Sequence, residues 1–372
     1  TINDNKVTIT EYVGDKESII IPATIEDKPV VSIGDYAFRN NGIKYISIPS
    51  GVISIGFRAF SGCENLVSIV IPSSVTSIGK YAFEECENLT SIEIPFGLIT
   101  IEEEMFYGCS NLSSVIIPSS VTSIGKSAFY GCSSLASIVI PSSVTSIGET
   151  AFGVCESLES IEIPSNVAII GEEAFAACSS LTSINVADDN ANYASVDGVL
   201  FSKSKDRLVL YPPAKEGSHY SIPSSVTSMD DYAFYRCVNL TSVVIPSGVT
   251  SIGEGVFSGC SNLESVTIPS TVTSIEMEAF YGCNSLASVT IPSSVKYIGT
   301  NAFAGSGLTS VIIPSSVTSF GMWVFSGCSN LESVTLPSNM TSIGNLMFSG
   351  CSSLASITIP FSVTTIESLA FY

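Results

Sequence analysis

A 23-residue period governs this chain. Ile-Pro or Leu-Pro dipeptides place prolines at Pro49, Pro72, Pro95, Pro118, Pro141 and Pro164, and again at Pro223, Pro246, Pro269, Pro292, Pro314, Pro337 and Pro360. Within each series every step is 23 residues except Pro292 to Pro314, which is 22. A second series is a phenylalanine: Phe38, Phe60, Phe83, Phe106, Phe129, Phe152 and Phe175, then Phe234, Phe257, Phe280, Phe303, Phe325, Phe348 and Phe371. The two series agree on about 14 units, the last truncated. Self-similarity at a fixed short period means an array of stacked structural units, because no unit this small can bury its own apolar face.

Each unit has a physical reading. Leu135-x-x-Ile138-x-Ile140-Pro141 alternates apolar and polar residues, which predicts a short strand with Ile138 and Ile140 inward. Pro141 lacks an amide hydrogen and ends the strand. Ser142-Ser143 turns the chain, and Val144-x-x-Ile147 returns it with two more inward residues. Gly148-x-x-Ala151-Phe152 suits a helical turn with Ala and Phe inside. Stacking predicts continuous rows of Leu, Ile, Val, Ala and Phe. It also predicts one parallel sheet with strands ~4.8 Å apart, on the order of 65 Å in all.

Leu-x-x-Ile-x-Ile-Pro followed by Val-x-x-Ile-Gly-x-x-Ala-Phe-x-x-Cys resembles the BspA-like leucine-rich repeat family, over nearly the whole chain. The resemblance implies a leucine-rich repeat solenoid: a curved right-handed stack of coils, a parallel β-sheet on the concave face and short or helical turns on the convex side. It also implies an extracellular or cell-surface protein of host-associated bacteria or parasitic protists, serving adhesion or protein recognition without enzyme activity. The expected partner is a protein, such as a host matrix or surface protein. A structural spacer presenting another domain and a carbohydrate-binding surface are the alternatives.

Composition narrows the function classes. The 372 residues carry 14 Lys and Arg against 34 Asp and Glu, a formal charge of −20. Nucleic-acid binders need a basic face to displace phosphate counterions, and docking on anionic lipid needs one too. No apolar run approaches the ~20 residues of a spanning helix, so no membrane insertion is expected in this segment. There is a single histidine, His219, which removes most general-base chemistry and most transition-metal sites. No catalytic residue, metal or cofactor is expected.

Eleven cysteines (Cys63, Cys86, Cys109, Cys132, Cys155, Cys178, Cys237, Cys260, Cys283, Cys328 and Cys351) all stand three after the Phe. This spacing gives no Cys-x-x-Cys pair and no recurring second ligand type. Thiols stacked in a row point the same way, whereas a disulfide needs facing Cβ atoms. A column of small buried thiols is the expectation.

The strand residues that face outward form the first candidate binding surface: Val70, Glu93, Ile116, Val139, Glu162, Asn185, Val244 and Thr267. The column before them is serine in twelve units, from Ser68 to Ser356. Such a face suits an extended protein partner, although β-branched residues and Ser also simply pack well in sheets.

Two departures interrupt the pattern. An insertion at 187–217 holds Val199 to Phe201 and Leu208 to Tyr211 around a polar turn, which predicts a β-hairpin. It resembles the hairpin insert of the family. It concentrates Lys203, Lys205, Arg207 and Lys215, so it is either an arm contacting a partner, through Lys203, Lys205 and Arg207, or a polar interruption. Asp188, Asp189 and Asn190 within it are a calcium candidate, and His219 reads as a loop residue. Residues 1–32 read as N-terminal cap strands and 33–372 as the solenoid. The stop at Phe371-Tyr372, inside a unit, is expected of a fragment of a longer protein. Tyr107, Tyr130, Tyr235 and Tyr281 are half-exposed packing or a sugar platform. The acidic runs Glu84, Glu85, Glu87 and Glu102 to Glu104 read as a solvated edge.

Overall fold

The computed structural model describes residues 1–372. They form a leucine-rich repeat solenoid of stacked coils, each coil contributing parallel strands and no helix. The expected helical turn is instead a run of tight turns, because two residues per coil are left-handed. Around Phe129 these are Ser127 (φ 50°) and Gly131 (φ 74°), and around Phe152 they are Thr150 (φ 49°) and Val154 (φ 58°). A helix cannot propagate through such residues.

Two compact units divide the chain, Thr1–Tyr193 and Ala194–Tyr372. Within each, one coil bonds to the next at equivalent positions. Phe129 N–H donates to Ala151 O at 2.8 Å, while Phe129 O accepts from Cys132 N and from the Cys155 thiol, at 3.2 Å each. Hydroxyls add a second set of rungs. Ser143 Oγ donates to Val121 O at 2.6 Å and Thr145 Oγ1 to Thr122 O at 3.1 Å. Buried backbone carbonyls are thereby satisfied by the neighbouring coil, which a single coil could not do. Gly148 is needed for this closeness, since a Cβ there would lie 2.6 Å from Gly125 C and Lys126 N.

The core is a set of ladders. In the first unit the rings of Phe38, Phe60, Phe83, Phe106, Phe129, Phe152 and Phe175 stack in sequence at 5.2–5.6 Å. In the second, Phe234 to Phe371 do the same at 5.1–5.6 Å. Tyrosine heads each ladder: Tyr12 stacks on Phe38 at 5.6 Å, and Tyr211 on Phe234 at 5.1 Å. Both tyrosines follow a pair of antiparallel strands. Ile2–Asn3 pairs with Lys6–Ile9, and Val199–Ser202 with Arg207–Leu210.

The expected single sheet is instead segmented. On the strand face, five strands from Ser18–Ile20 to Ser114–Ile116 form one sheet, and Ser160–Ile163 pairs with Ser183–Val186. In the second unit, His219–Ser221, Ser242–Val244 and Ser265–Thr267 form a sheet, and Ser310–Ile312 pairs with Ser333–Thr335. Three coils make no ladder: 137–140, 288–291 and 356–359. These are the three in which Ala136, Ala287 or Ala355 follows the inward Leu.

The return strands form a second parallel ladder, also interrupted. It breaks between Ser77–Ile78 and Thr100–Ile101, between Ser228–Met229 and Ser251–Ile252, and between Ser319–Phe320 and Ser342–Ile343. At each break a larger residue stands in the inward Val or Ile column: Leu98, Met229, and Phe320 with Met340. An oversized side chain in a close-packed row pushes its neighbours apart. The last break opens a cleft of about 720 Å³ lined by Thr318, Phe320, Met322, Met340, Thr341 and Asn345, among others.

Candidate functional site

The outward strand column is where alternation leaves side chains without an inward partner. Val70 (74% exposed), Ile116 (58%) and Val139 (80%) stand in solvent. Glu93, Glu162 and Asn185 share their column and are also exposed, as are Val244 and Thr267 in the second unit. Ile20 belongs to this column too, 80% exposed, because Ser18–Ile20 pairs with Tyr45–Ser47. The Ile21-Pro22 dipeptide carried that signal. A 27-residue step hid it, since the turn between Thr24–Ile25 and Lys28–Ile33 adds residues.

The hairpin is woven into its unit. Arg207 and Leu208 pair in parallel with Ser228 and Met229, and Val199, Phe201 and Leu208 are fully buried. Its basic groups are partly matched: Arg207 faces Asp230 at 3.4 Å and Lys215 faces Asp197 at 3.1 Å. Lys205 occupies the left-handed turn (φ 59°), and its carbonyl accepts from Ser225 Oγ at 2.8 Å. Lys203 lies in the same turn, where Asp206 accepts the hydroxyls of Ser202 and Ser204 and is held below the usual carboxylate range by them. His219 corrects its sequence reading. It lies on a strand, with Nδ1 2.5 Å from Ser242 Oγ.

Asn190 is a lock rather than a cation ligand. It is fully buried, and its Nδ2 donates to Pro164 O at 2.8 Å and Val167 O at 3.0 Å. Its Oδ1 accepts from the amides of Asn192 and Tyr193. Tyr193 Oη in turn accepts the Ile170 amide at 2.9 Å. Both residues satisfy backbone groups of the last coil of the first unit, which has no following return strand of its own kind. No signal in the 23-residue period marks them.

All eleven thiols are free, ten of them buried. Sγ donates to the carbonyl of the preceding coil's Phe, as Cys86 does to Phe60 O at 3.2 Å. Burial pushes Cys63, Cys109, Cys178 and Cys351 up to about 12, so none is a thiolate near neutrality. The acidic runs are tied across coils. Glu84 meets Arg58 at 3.4 Å, and Glu103 meets Lys80 at 2.9 Å, whose hydrogen bond lowers its carboxyl. Tyr107 and Tyr130 stack on each other at 5.1 Å, which occupies one face of each ring. No helix is long and apolar enough to cross a membrane.

Repeated coils, an exposed strand face and a closed Phe ladder define a leucine-rich repeat scaffold. The model of the BspA type leucine rich repeat region matches residues 31–155, 99–206, 215–326 and 251–372. The chain belongs to this BspA-type family.

Solved structures agree. A leucine rich cell surface protein from Faecalibacterium prausnitzii is 33% identical, with 98% of this chain and 91% of that one covered at a TM-score of 0.79. A leucine-rich repeat protein from Bacteroides ovatus is 31% identical over 97% and 92%, with a TM-score of 0.64. The pneumococcal vaccine antigen PcpA is 25% identical over 100% and 91%, with a TM-score of 0.62. No curated protein sequence matches the chain.

Proposed function

We propose that this protein is a non-enzymatic scaffold, displayed on the cell surface or secreted, that captures a protein ligand on its strand face in an adhesive role. The observation that carries this reading is the exposed β-branched column of Ile20, Val70, Ile116 and Val139. Ser47 separates Ile20 from Val70 and Glu93 separates Val70 from Ile116, so the adjoining apolar pair is Ile116 and Val139; exposed apolar side chains that adjoin are what marks a docking surface. The surface character of the F. prausnitzii relative and the antigen character of PcpA support the location. The turn carrying Lys203, Lys205 and Arg207 is a second, smaller contact in this reading.

Capture of host matrix proteins tests it. Ile116→Arg with Val139→Arg should abolish capture while leaving the fold intact. Capture that persists removes the strand face from the account. Replacing Lys203, Lys205 and Arg207 with Glu tests the turn in the same assay, where unchanged affinity dismisses it. Binding on a glycan array in place of protein capture would turn the assignment to carbohydrate.

A further inference from the structure

We infer that the strand face of the first unit recognises an extended polypeptide segment with basic residues at positions i and i+4 and an aliphatic residue at i+2. This rests on the proposal that the strand face is the docking surface, and it names the partner's chemistry.

Charge is the first reason. Residues 1–193 carry 23 of the 34 acidic side chains and 8 of the 14 basic ones, a formal charge of −15 against −5 for residues 194–372. Within this excess, Glu93, Glu159 and Glu162 lie exposed on the strand side, and none is in an ion pair. The equivalent column of the second unit, Val244, Thr267, Thr290 and Ile312, holds no carboxylate.

Arrangement is the second. Glu93 pairs in register with Ile116, Val139 follows one coil on, and Glu162 follows that. Two carboxylates therefore bracket two exposed aliphatic side chains in one column. With coils ~4.8 Å apart, Glu93 and Glu162 are separated by about 14 Å. An extended chain rises ~3.4 Å per residue, so side chains four apart on one face are also about 14 Å apart. A Lys-x-Ile-x-Lys segment laid along the stack thus sets one ammonium over each carboxylate and its Ile over the Ile116–Val139 pair.

The third reason is the open ladder. No backbone hydrogen bond joins Ser114–Ile116 to residues 137–139, so the patch centres on an interruption of the sheet. With that rung missing, the Ile116 and Val139 side chains are less tightly fixed to each other than those of laddered coils, which lets the pair fit around one side chain laid between them.

Fluorescence anisotropy on the full chain tests the inference. The probe is a labelled nonapeptide, Gly-Ser-Lys-Thr-Ile-Thr-Lys-Ser-Gly. Its comparators are an isomer with the two lysines adjacent and a version with Glu for Lys. At low salt the spaced peptide should bind at least tenfold more tightly than the isomer, and the Glu version should not bind. Glu93→Gln with Glu162→Gln should weaken the spaced peptide at least tenfold. Ile116→Ser with Val139→Ser should weaken it comparably, and Glu172→Gln, away from the strand face, should leave it unchanged. No binding, equal binding of the two isomers, or indifference to Glu93→Gln with Glu162→Gln overturns the inference. Matrix-protein capture lost with Ile116→Arg and Val139→Arg but indifferent to the Gln pair would sink this inference and leave the docking face standing. Capture indifferent to both would sink the docking face itself.

Discussion

The Tyr211 ring lies 5.1 Å from that of Phe234, at 23° between planes, and the Tyr211 amide donates to Ala233 O at 2.8 Å. These are the contacts that a Phe makes with the next coil. Tyr211 therefore heads the second unit's ladder from a coil concealed inside the insertion. Tyr211→Ala should destabilise that unit by about 3–5 kcal/mol, as aromatic truncation in a core does. Tyr211→Phe should leave the stack in place. Denaturant unfolding, with hydrogen exchange to assign the loss to residues 194–372, measures both.

Rows of one residue type were legible in the sequence because stacking makes identity and spacing equivalent. Pro, Phe, Leu and Cys columns could be read without coordinates. Tyr12 and Tyr211 could not, since each follows antiparallel strands that alter the count between landmarks. The ladder breaks were written in Leu98, Met229, Phe320 and Met340, but they mean nothing until a neighbour's volume is known. On the candidate face, the exposed column was legible from alternation. The order Glu93, Ile116, Val139, Glu162 was legible there too, whereas the lack of an ion-pair partner for either carboxylate needed the coordinates.

Val154 stands in a column otherwise held mostly by Gly, at φ 58°. A β-branched residue in the left-handed region is strained by roughly 1–2 kcal/mol. Glycine costs about 0.5–1 kcal/mol in unfolded-chain entropy. Val154→Gly should therefore stabilise the first unit by about 0.5–1 kcal/mol, and Gly131→Val, the reverse swap in the same column, should destabilise it by about 0.5–1 kcal/mol. Urea midpoints at constant slope decide both.

Alkali should unfold this protein through its thiols. An exposed thiol ionises near 9.0, whereas burial holds Cys63, Cys109 and Cys178 neutral up to about 12. Between these values the unfolded chain binds fewer protons than the folded one, so stability is complete below pH 9 and falls as pH rises toward 12. A Cys109→Ala, Cys132→Ala, Cys155→Ala variant should show a shallower decline, read as melting temperature against pH. Iodoacetamide at pH 8 should label the native chain slowly and the urea-unfolded chain at all eleven cysteines.

Phe320→Ile combined with Met340→Val should close the cleft beside the last coils. The bonds regained are Thr341 N–H to Thr318 O and Gly344 N–H to Phe320 O, which equivalent residues make elsewhere, as when Thr145 N–H donates to Thr122 O at 2.8 Å. Amide exchange at Thr341 and Gly344 should slow at least tenfold. Unchanged exchange would show that side-chain volume is not what parts the coils.

Away from the insertion and the N-terminal coil, side-chain bonds between coils join residues 22–26 apart in sequence. Closing a chain segment of that size costs the same entropy wherever it occurs. Once a first pair of coils has formed, each further one adds at a constant toll, like the teeth of a zipper. Assembly within a unit then depends on how readily that first pair nucleates and hardly at all on how many coils remain to be laid down.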